Sequence, residues 1–317
     1  MSKLTKVKNN ITFDQKQEID SLRKQPNKTF RPVSQGIEKI LFKAFPVLDH
    51  GFLRVVDYMG DDHAVVQAAR VSYGKGTTKV TEDKGLIRYL MRHRHSTPFE
   101  MCEIKLHVKL PMFVARQWIR HRTASINEYS ARYSVLDKEF YIPKKEHLAV
   151  QSKSNKQGRG DILSEVAAKK ALKILKQDAE NCYNSYEYLL NENSNGDIIN
   201  NDRDGLAREL ARINLTLNTY TQWYWKTNLH NLMNFISLRA DSHAQFEIRA
   251  YADIIYDIMK AWVPITAEAF QSYRIGSVEF SFEALNILKD LLAGKKVTQK
   301  TSGLSMREWN ELMHSLK

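Results

Sequence analysis

Nine consecutive residues, 102–110, alternate without a break between apolar and polar side chains. Cys102, Ile104, Leu106, Val108 and Leu110 make one face, and Glu103, Lys105, His107 and Lys109 the other. A period of two over that length calls for an extended strand with one face on a core. The chain is thereby committed to a sheet that something apolar must cover. Pro111 ends the alternation and suits the first turn of a helix. The stretch PMFVARQWIR that follows sets Arg116 and Arg120 one helical turn apart, with Gln117 beside Arg120. Strand and helix together form a rigid platform that delivers Gln117 and Arg120 to the next loop.

That loop reads RHRTASINEYSAR, residues 120–132, and holds Arg120, His121, Arg122, Ser130 and Arg132. Arginine stays charged at any working pH, so this density is costly unless an anion offsets the repulsion. Guanidinium forks match phosphate oxygens, and the Ser130 hydroxyl adds a donor. A phosphorylated ligand is the expectation. No sequence neighbour of Ser130 offers a base, so its expected task is binding rather than nucleophilic attack.

A chain of 317 residues is one large domain or two small ones. Its 43% hydrophobic and 26% charged residues are ordinary for a soluble globular protein. There is no apolar stretch of bilayer-spanning length and no signal-peptide core at the N-terminus, so the expected location is cytoplasmic. The two cysteines, Cys102 and Cys182, suit a reducing compartment and exclude a disulfide scaffold or a cysteine-rich zinc site. The net charge of +12 admits two readings, a nucleic-acid binder or an enzyme that steers small, highly charged substrates. The lysines are scattered rather than drawn into one stripe with aromatic partners, which favours the second.

Along the chain, 1–45 reads as a polar, lysine-rich N-terminal extension with one apolar stretch, IEKILFKAF. A strand is expected over 51–58, and helices over 64–70, 85–94, 161–190, 205–213, 228–239, 242–263, 282–292 and 306–316. The polar stretches SKSNKQGRG and NENSNGDIINND read as exposed loops on either side of the long helix. The class is α+β, an antiparallel or mixed sheet with several long helices. The expected domains are the extension, a core over 46–275 with an insertion around 150–205, and a C-terminal helical extension over 276–317. Tyr220, Trp223, Tyr224 and Trp225 suit either a stacking platform or core packing. His93 and His95 form an H-x-H pair at a helix end, where the rings cannot converge on one ion, and the arginines around His121 repel a cation; no metal is expected.

The spacing RHR-x7-S resembles the signature of the flavin-dependent thymidylate synthases. RHRHSTPFE, VARQWIRHR, NEYSARYS, ARELARINL, YTQWYWKTN and LMNFISLRADSHAQFEI are similar to blocks of that family, in family order. Several motifs in order are far more specific than one. The resemblance implies a thymidylate synthase-complementing-type fold and a methyltransferase of nucleotide (dTMP) biosynthesis. Such an enzyme methylates dUMP reductively, with methylenetetrahydrofolate as carbon donor and NADPH-reduced FAD as hydride source. It also implies a homotetramer with shared active sites, and no membrane partner. The alternatives are a basic nucleic-acid-binding protein and a flavoprotein that has lost synthesis.

By the same resemblance, dUMP is met by Gln117, Trp118, Ile119, Arg120, Glu128, Tyr129, Ser130, Ala131, Arg132, Arg212 and Arg239. Arg239 is the implied catalytic residue: set against the uracil, its fixed charge favours ionisation of the ring. Its place at a helix C-terminus suits a cation independently of any ligand. FAD falls to Ser72, His95, Thr97, Glu100, Arg120, His121, Arg122, Thr123, Asn228, Leu229, His230 and Asn234, with Glu128 between the two ligands. There is no G-x-G-x-x-G after a strand, so a Rossmann flavin site is not expected. Two positions depart from the family pattern: His230 stands where arginine is frequent, and Thr123 where an aliphatic residue is usual.

Overall fold

The computed structural model describes residues 10–71, 80–152 and 158–316. The chain packs as two compact units, Met1–Glu268 and Ala269–Lys317. In chain order the first unit opens with α1 (Phe13–Lys24), α2 (Gln35–Glu38), β1 (Ala44–Val47) and β2 (Gly51–Met59). Next come α3 (Asp62–Val71), α4 (Val80–Arg92), α5 (Thr97–Glu100), β3 (Glu103–Pro111), α6 (Met112–Trp118) and β4 (Ser125–Glu128). A two-stranded hairpin, β5 (Ala149–Gln151) and β6 (Arg159–Ile162), precedes α7 (Glu165–Leu190) and α8 (Arg208–Ala211). The unit continues through β7 (Tyr220–Asn228), α9 (Leu229–Arg239) and α10 (Phe246–Trp262) into α11 (Pro264–Phe270), whose last two residues begin the second unit. The architecture is α+β, with a five-stranded antiparallel sheet in the order β1-β2-β3-β7-β4.

The alternating segment, β3, is the central strand of that sheet. Cys102, Ile104, Leu106, Val108 and Leu110 are all buried to within 1% exposure, each inward side chain contributing about 1.5–3 kcal/mol of transfer free energy. The opposite face departs from expectation at one position. Lys109 is also buried, because Glu139 forms an ion pair with its ammonium and Asp137 lies 4.0 Å away. β3 pairs with β7 over nine residues in unbroken register, from Glu103 opposite Asn228 to Pro111 opposite Tyr220. That register turns Trp223 and Trp225 inward and leaves Tyr224 outward and exposed. Tyr220, Trp223 and Trp225 are therefore buried packing residues, while Tyr224 stays at the surface. Trp118 of α6 meets Trp223 and Trp225 edge-on at 5.6 and 5.4 Å, and Phe235 of α9 at 4.6 Å.

On the outer face, a chain of side chains crosses three strands. Arg54 Nε donates to His107 Nδ1 (3.0 Å), and His107 Nε2 lies 3.0 Å from Gln222 Oε1. α1 reaches the same row: Gln15 donates to Gln222, and Glu18 pairs with Arg54 at 3.1 Å. Burial, then the Arg54 charge, pushes the His107 imidazole down to about 4, so it stands neutral. Helix α1 is begun by a reciprocal capping box between Thr12 and Gln15. The expected N-terminal extension thus supplies α1, α2 and the first half of β1 to the first unit. At Gly36 a Cβ would overlap the Ala261 carbonyl, so α2 meets α10 backbone to backbone.

Several expected boundaries move for local reasons. The long helix begins at Glu165, with Ser164 as N-cap, because Arg159–Ile162 is strand β6. The stretch over 205–213 forms one turn of α-helix, α8, followed by a 3-10 turn over Arg212–Asn214. α10 starts at Phe246 because Asp241 accepts the His243 N–H at 2.7 Å and folds 241–243 into a turn. In the second unit, α12 (Phe282–Leu292), α13 (Gln299–Ser302) and α14 (Met306–Ser315) surround a small core of Ala284, Ile287, Leu304 and Leu312. No helix among the described residues is long and apolar enough to cross a membrane.

Candidate active site

The turn from α6 to β4 carries the basic loop, and the sheet fixes both of its ends. At one end, Trp118 is locked into the aromatic core, which holds the last turn of α6 and so the start of the loop. At the other, β4 pairs with β7 from Ser125 opposite Lys226 to Glu128 opposite Trp223. Thr227 Oγ1 donates to the Thr123 carbonyl (3.1 Å), tying the middle of the loop to the sheet. The loop is therefore held by a rigid scaffold rather than suspended between two elements.

A cavity of about 1020 Å³ opens beside this loop. Ile119, Glu128, Tyr129, Ser130, Ala131 and Arg212, all expected to meet a nucleotide, line it together. Glu128 is held by the Thr221 hydroxyl at 2.8 Å, and Tyr129 donates to the Val135 carbonyl at 3.0 Å. Ser130 Oγ accepts the Arg132 N–H (3.3 Å), while Ser130's carbonyl takes the N–H groups of Tyr133 and Ser134. The Arg132 guanidinium pairs with Glu209 at 3.3 Å, both side chains more than half exposed, a contact weak enough to be exchanged for a ligand. Arg116, Glu209 and Thr221 also line the cavity and were not among the expected site residues. Glu209 and Thr221 lie some eighty to ninety residues from the segment they support, and nothing local in the sequence marks such pairings.

Gln117, Arg120 and Arg239 are not part of that lining. They gather at the C-terminal end of α9, where Arg239 Nη2 donates to the Gln117 carbonyl at 3.4 Å. Arg239 Nε and Gln117 Oε1 are buried with no hydrogen-bond partner. Burial and then the neighbouring Arg120 charge push the Arg239 guanidinium below its ordinary value. Two repelling guanidiniums and an unsatisfied donor form a site that an anionic or polar ligand would complete. Burial, reinforced by Arg239, likewise lowers the His121 imidazole, which lies 3.2 Å from the Thr123 hydroxyl.

Most of the residues expected to hold a flavin assemble around the start of α9. Asn228 is the N-cap of that helix, accepting the Asn231 N–H at 2.9 Å. His230 and Asn234 follow one turn apart, 3.3 Å from each other. α5, which carries Thr97 and Glu100, packs on α9. His95 precedes it, its ring 5.9 Å from Tyr89. Arg122 and Thr123 are exposed on the loop. Trp118 and Leu229 are fully buried, so only their backbone can meet a ligand. Ser72 lies outside the described residues.

Three comparisons with known proteins bear on this arrangement. A family model described as "Thymidylate synthase complementing protein" matches residues 54–265. The chain is 63% identical over 302 residues to a protein of Gluconobacter oxydans named flavin-dependent thymidylate synthase, covering 95% of this chain and 97% of that one. A Rickettsia bellii protein of the same name is 59% identical over 292 residues, covering 92% and 99%. Among solved structures, the UMP/dUMP methylase PolB from Streptomyces cacaoi bound with 5-Br dUMP is similar, with a TM-score of 0.62 and 33% identity. That similarity covers 72% of this chain and 97% of PolB.

Proposed function

The chain belongs to the flavin-dependent thymidylate synthase family, and from that premise we propose that it converts dUMP to dTMP. In this reading methylenetetrahydrofolate donates the carbon, and NADPH, by way of FAD, provides the reducing equivalents. The observation that carries the proposal is the pair of incomplete polar sites: a cavity lined by Glu128, Ser130 and Arg212, and the Arg239–Gln117 corner with its unsatisfied donor and acceptor.

Each residue's task follows from its chemistry. Ser130, Arg132 and Arg212 receive the nucleotide phosphate, with guanidinium forks and a hydroxyl supplying charge-assisted hydrogen bonds. Arg239 and Gln117 take the uracil edge, where the unsatisfied Nε and Oε1 match a ring carbonyl and N–H. A fixed positive charge at that edge stabilises a negative charge developing on the ring and so favours reaction at its carbon. The neutral imidazole of His121 accepts or donates one hydrogen bond without adding to the repulsion between Arg120 and Arg239.

The residues around the start of α9 fit a flavin: Thr97, Glu100, Thr123, Asn228, His230 and Asn234 offer a mixed donor and acceptor set beside the arginines of the basic loop. FAD, when bound there, supplies the hydride-transfer chemistry. His230 and Thr123, which depart from the family pattern, each already make one polar contact within the site, with Asn234 and His121. The nucleotide cavity and the Arg239 corner have separate linings, and a homotetramer with shared active sites would let one subunit's cavity meet another's corner.

The direct test is release of tritium from C5-labelled dUMP under low oxygen, with FAD, NADPH and methylenetetrahydrofolate omitted in turn. Release that needs all three, accompanied by dTMP, is the expected result. Bound flavin without release would mean that the family's fold persists without its reaction. Arg132→Ala is expected to weaken dUMP binding about ten- to a hundredfold, the loss of a charged hydrogen bond, with FAD affinity unchanged. Calorimetry with each ligand checks this, and equal losses for both ligands would refute the assignment.

A further inference from the structure

A second cavity, of about 720 Å³, shares no lining residue with the nucleotide cavity. One wall is the β5–β6 hairpin; the other is the α9–α10 connection with the first turn of α10. His147 and Phe246 stack between the walls, centroids 3.7 Å apart and planes 20° off parallel, which gives the cavity a flat patch. Its charge is one-sided. Arg159, Arg249, His147 and His243 line it against one carboxylate, Glu146, among the described residues.

These cations are not equally available. Arg159 is engaged by both oxygens of the buried Glu247, at 2.7 and 2.6 Å, and Glu247 also receives Tyr141 and Gln245. His243 leans on Asp241 at 2.9 Å. The Arg249 guanidinium donates once, to the Ser242 carbonyl at 2.8 Å, and forms no ion pair among the described residues. Asp241 feels the Arg249 charge but already accepts the backbone and the ring of His243. Arg249 therefore keeps most of its five donors for a ligand, and a guanidinium fork selects carboxylate or phosphate. The cavity also lies close to the proposed chemistry. Ser242 follows Arg239 by three residues, so their Cα atoms are within about 11 Å.

We propose that this cavity anchors the anionic tail of a co-substrate whose reacting end lies towards Arg239. The shared chemistry is a carboxylate or phosphate on a flexible arm, and two molecules carry it: the glutamyl chain of the folate and the ribose 2′-phosphate of NADPH. The proposal rests on the synthase reading for the identity of the co-substrates, but the contact can be measured without turnover.

The experiment is calorimetry on the FAD-loaded enzyme, wild type against Arg249→Gln and Arg249→Lys. The probes are pteroyltriglutamate against pteroylmonoglutamate, and NADP+ against NAD+, the oxidised nucleotides having no hydride to pass to the flavin. In the wild type, the more anionic member of one pair is expected to bind about tenfold more tightly. Arg249→Gln should erase that preference and Arg249→Lys restore part of it, with dUMP affinity and flavin content unchanged. Loss of the triglutamate preference identifies the folate tail, and loss of the NADP+ preference the nicotinamide nucleotide. Equal wild-type affinities within both pairs would overturn the proposal, as would a preference that survives Arg249→Gln. A parallel fall in dUMP affinity or flavin content would make Arg249 a structural support and overturn it too. Absence of dTMP formation by the wild type would remove the synthase reading while the binding comparison still decided the cavity.

Discussion

Arg239→Ala is expected to slow dTMP formation by about 10²–10³-fold while the protein keeps its FAD, the usual cost of removing one electrostatic group at a reacting centre. Its position at the C-terminal end of α9, at the opposite end of the helix from the N-cap Asn228, separates the two effects. The side chain is poised by a single weak contact to the Gln117 carbonyl and keeps a buried, unmatched Nε. Burial and the nearby Arg120 already strain its charge, so a ligand that accepts from it gains more than it would from a solvated arginine. Single-turnover assays with flavin absorbance recorded in parallel check this. A variant that made dTMP at the wild-type rate would remove Arg239 from the reaction. Loss of flavin along with activity would instead make it part of the cofactor site.

Trp118→Ala is expected to cost about 3–5 kcal/mol of stability, the range for deleting a fully buried aromatic. Trp118 touches four rings, Trp223, Trp225, Phe235 and Tyr251, from three different elements. Its removal leaves a cavity under the last turn of α6, which also carries Gln117 and leads into Arg120. Urea unfolding monitored by circular dichroism checks the magnitude. A loss below about 1 kcal/mol would mean that the neighbouring rings collapse into the space, and that the basic loop does not depend on this packing.

How much could be read beforehand depended on how one-sided each element's environment is. β3 was legible because one face is uniformly buried, and α12 because its apolar stripe and Ser281 cap coincide with its ends. β7 was ambiguous because Tyr220 and Tyr224 put aromatics on the face opposite Trp223 and Trp225, which hides the period of two. β4 is a four-residue edge strand with little buried surface, and its position depends on pairing with a strand nearly a hundred residues away. α1 buries only Ile19 and is held by its capping box and the Glu18–Arg54 pair, a local signal without an apolar stripe. At the site, the basic loop was visible because its chemistry is contiguous. Thr221 beneath Glu128 and Glu209 beside Arg132 were not, since only the folded sheet brings them there.

The nine-pair register between β3 and β7 imposes a rule of parity on how a chain like this can change in length. One residue added to or lost from β7 would turn Trp223 and Trp225 towards solvent and swing Tyr224 and Gln222 into the core, as one in β3 would do to Leu106 and His107. It would also shift Glu128 away from its Thr221 partner, because β4 takes its alignment from β7. Length can drift in the segments that merely border the sheet, such as the turns around 191–207. Within β3 and β7 each lineage inherits a fixed count, and the loop that carries the arginines inherits its position from it.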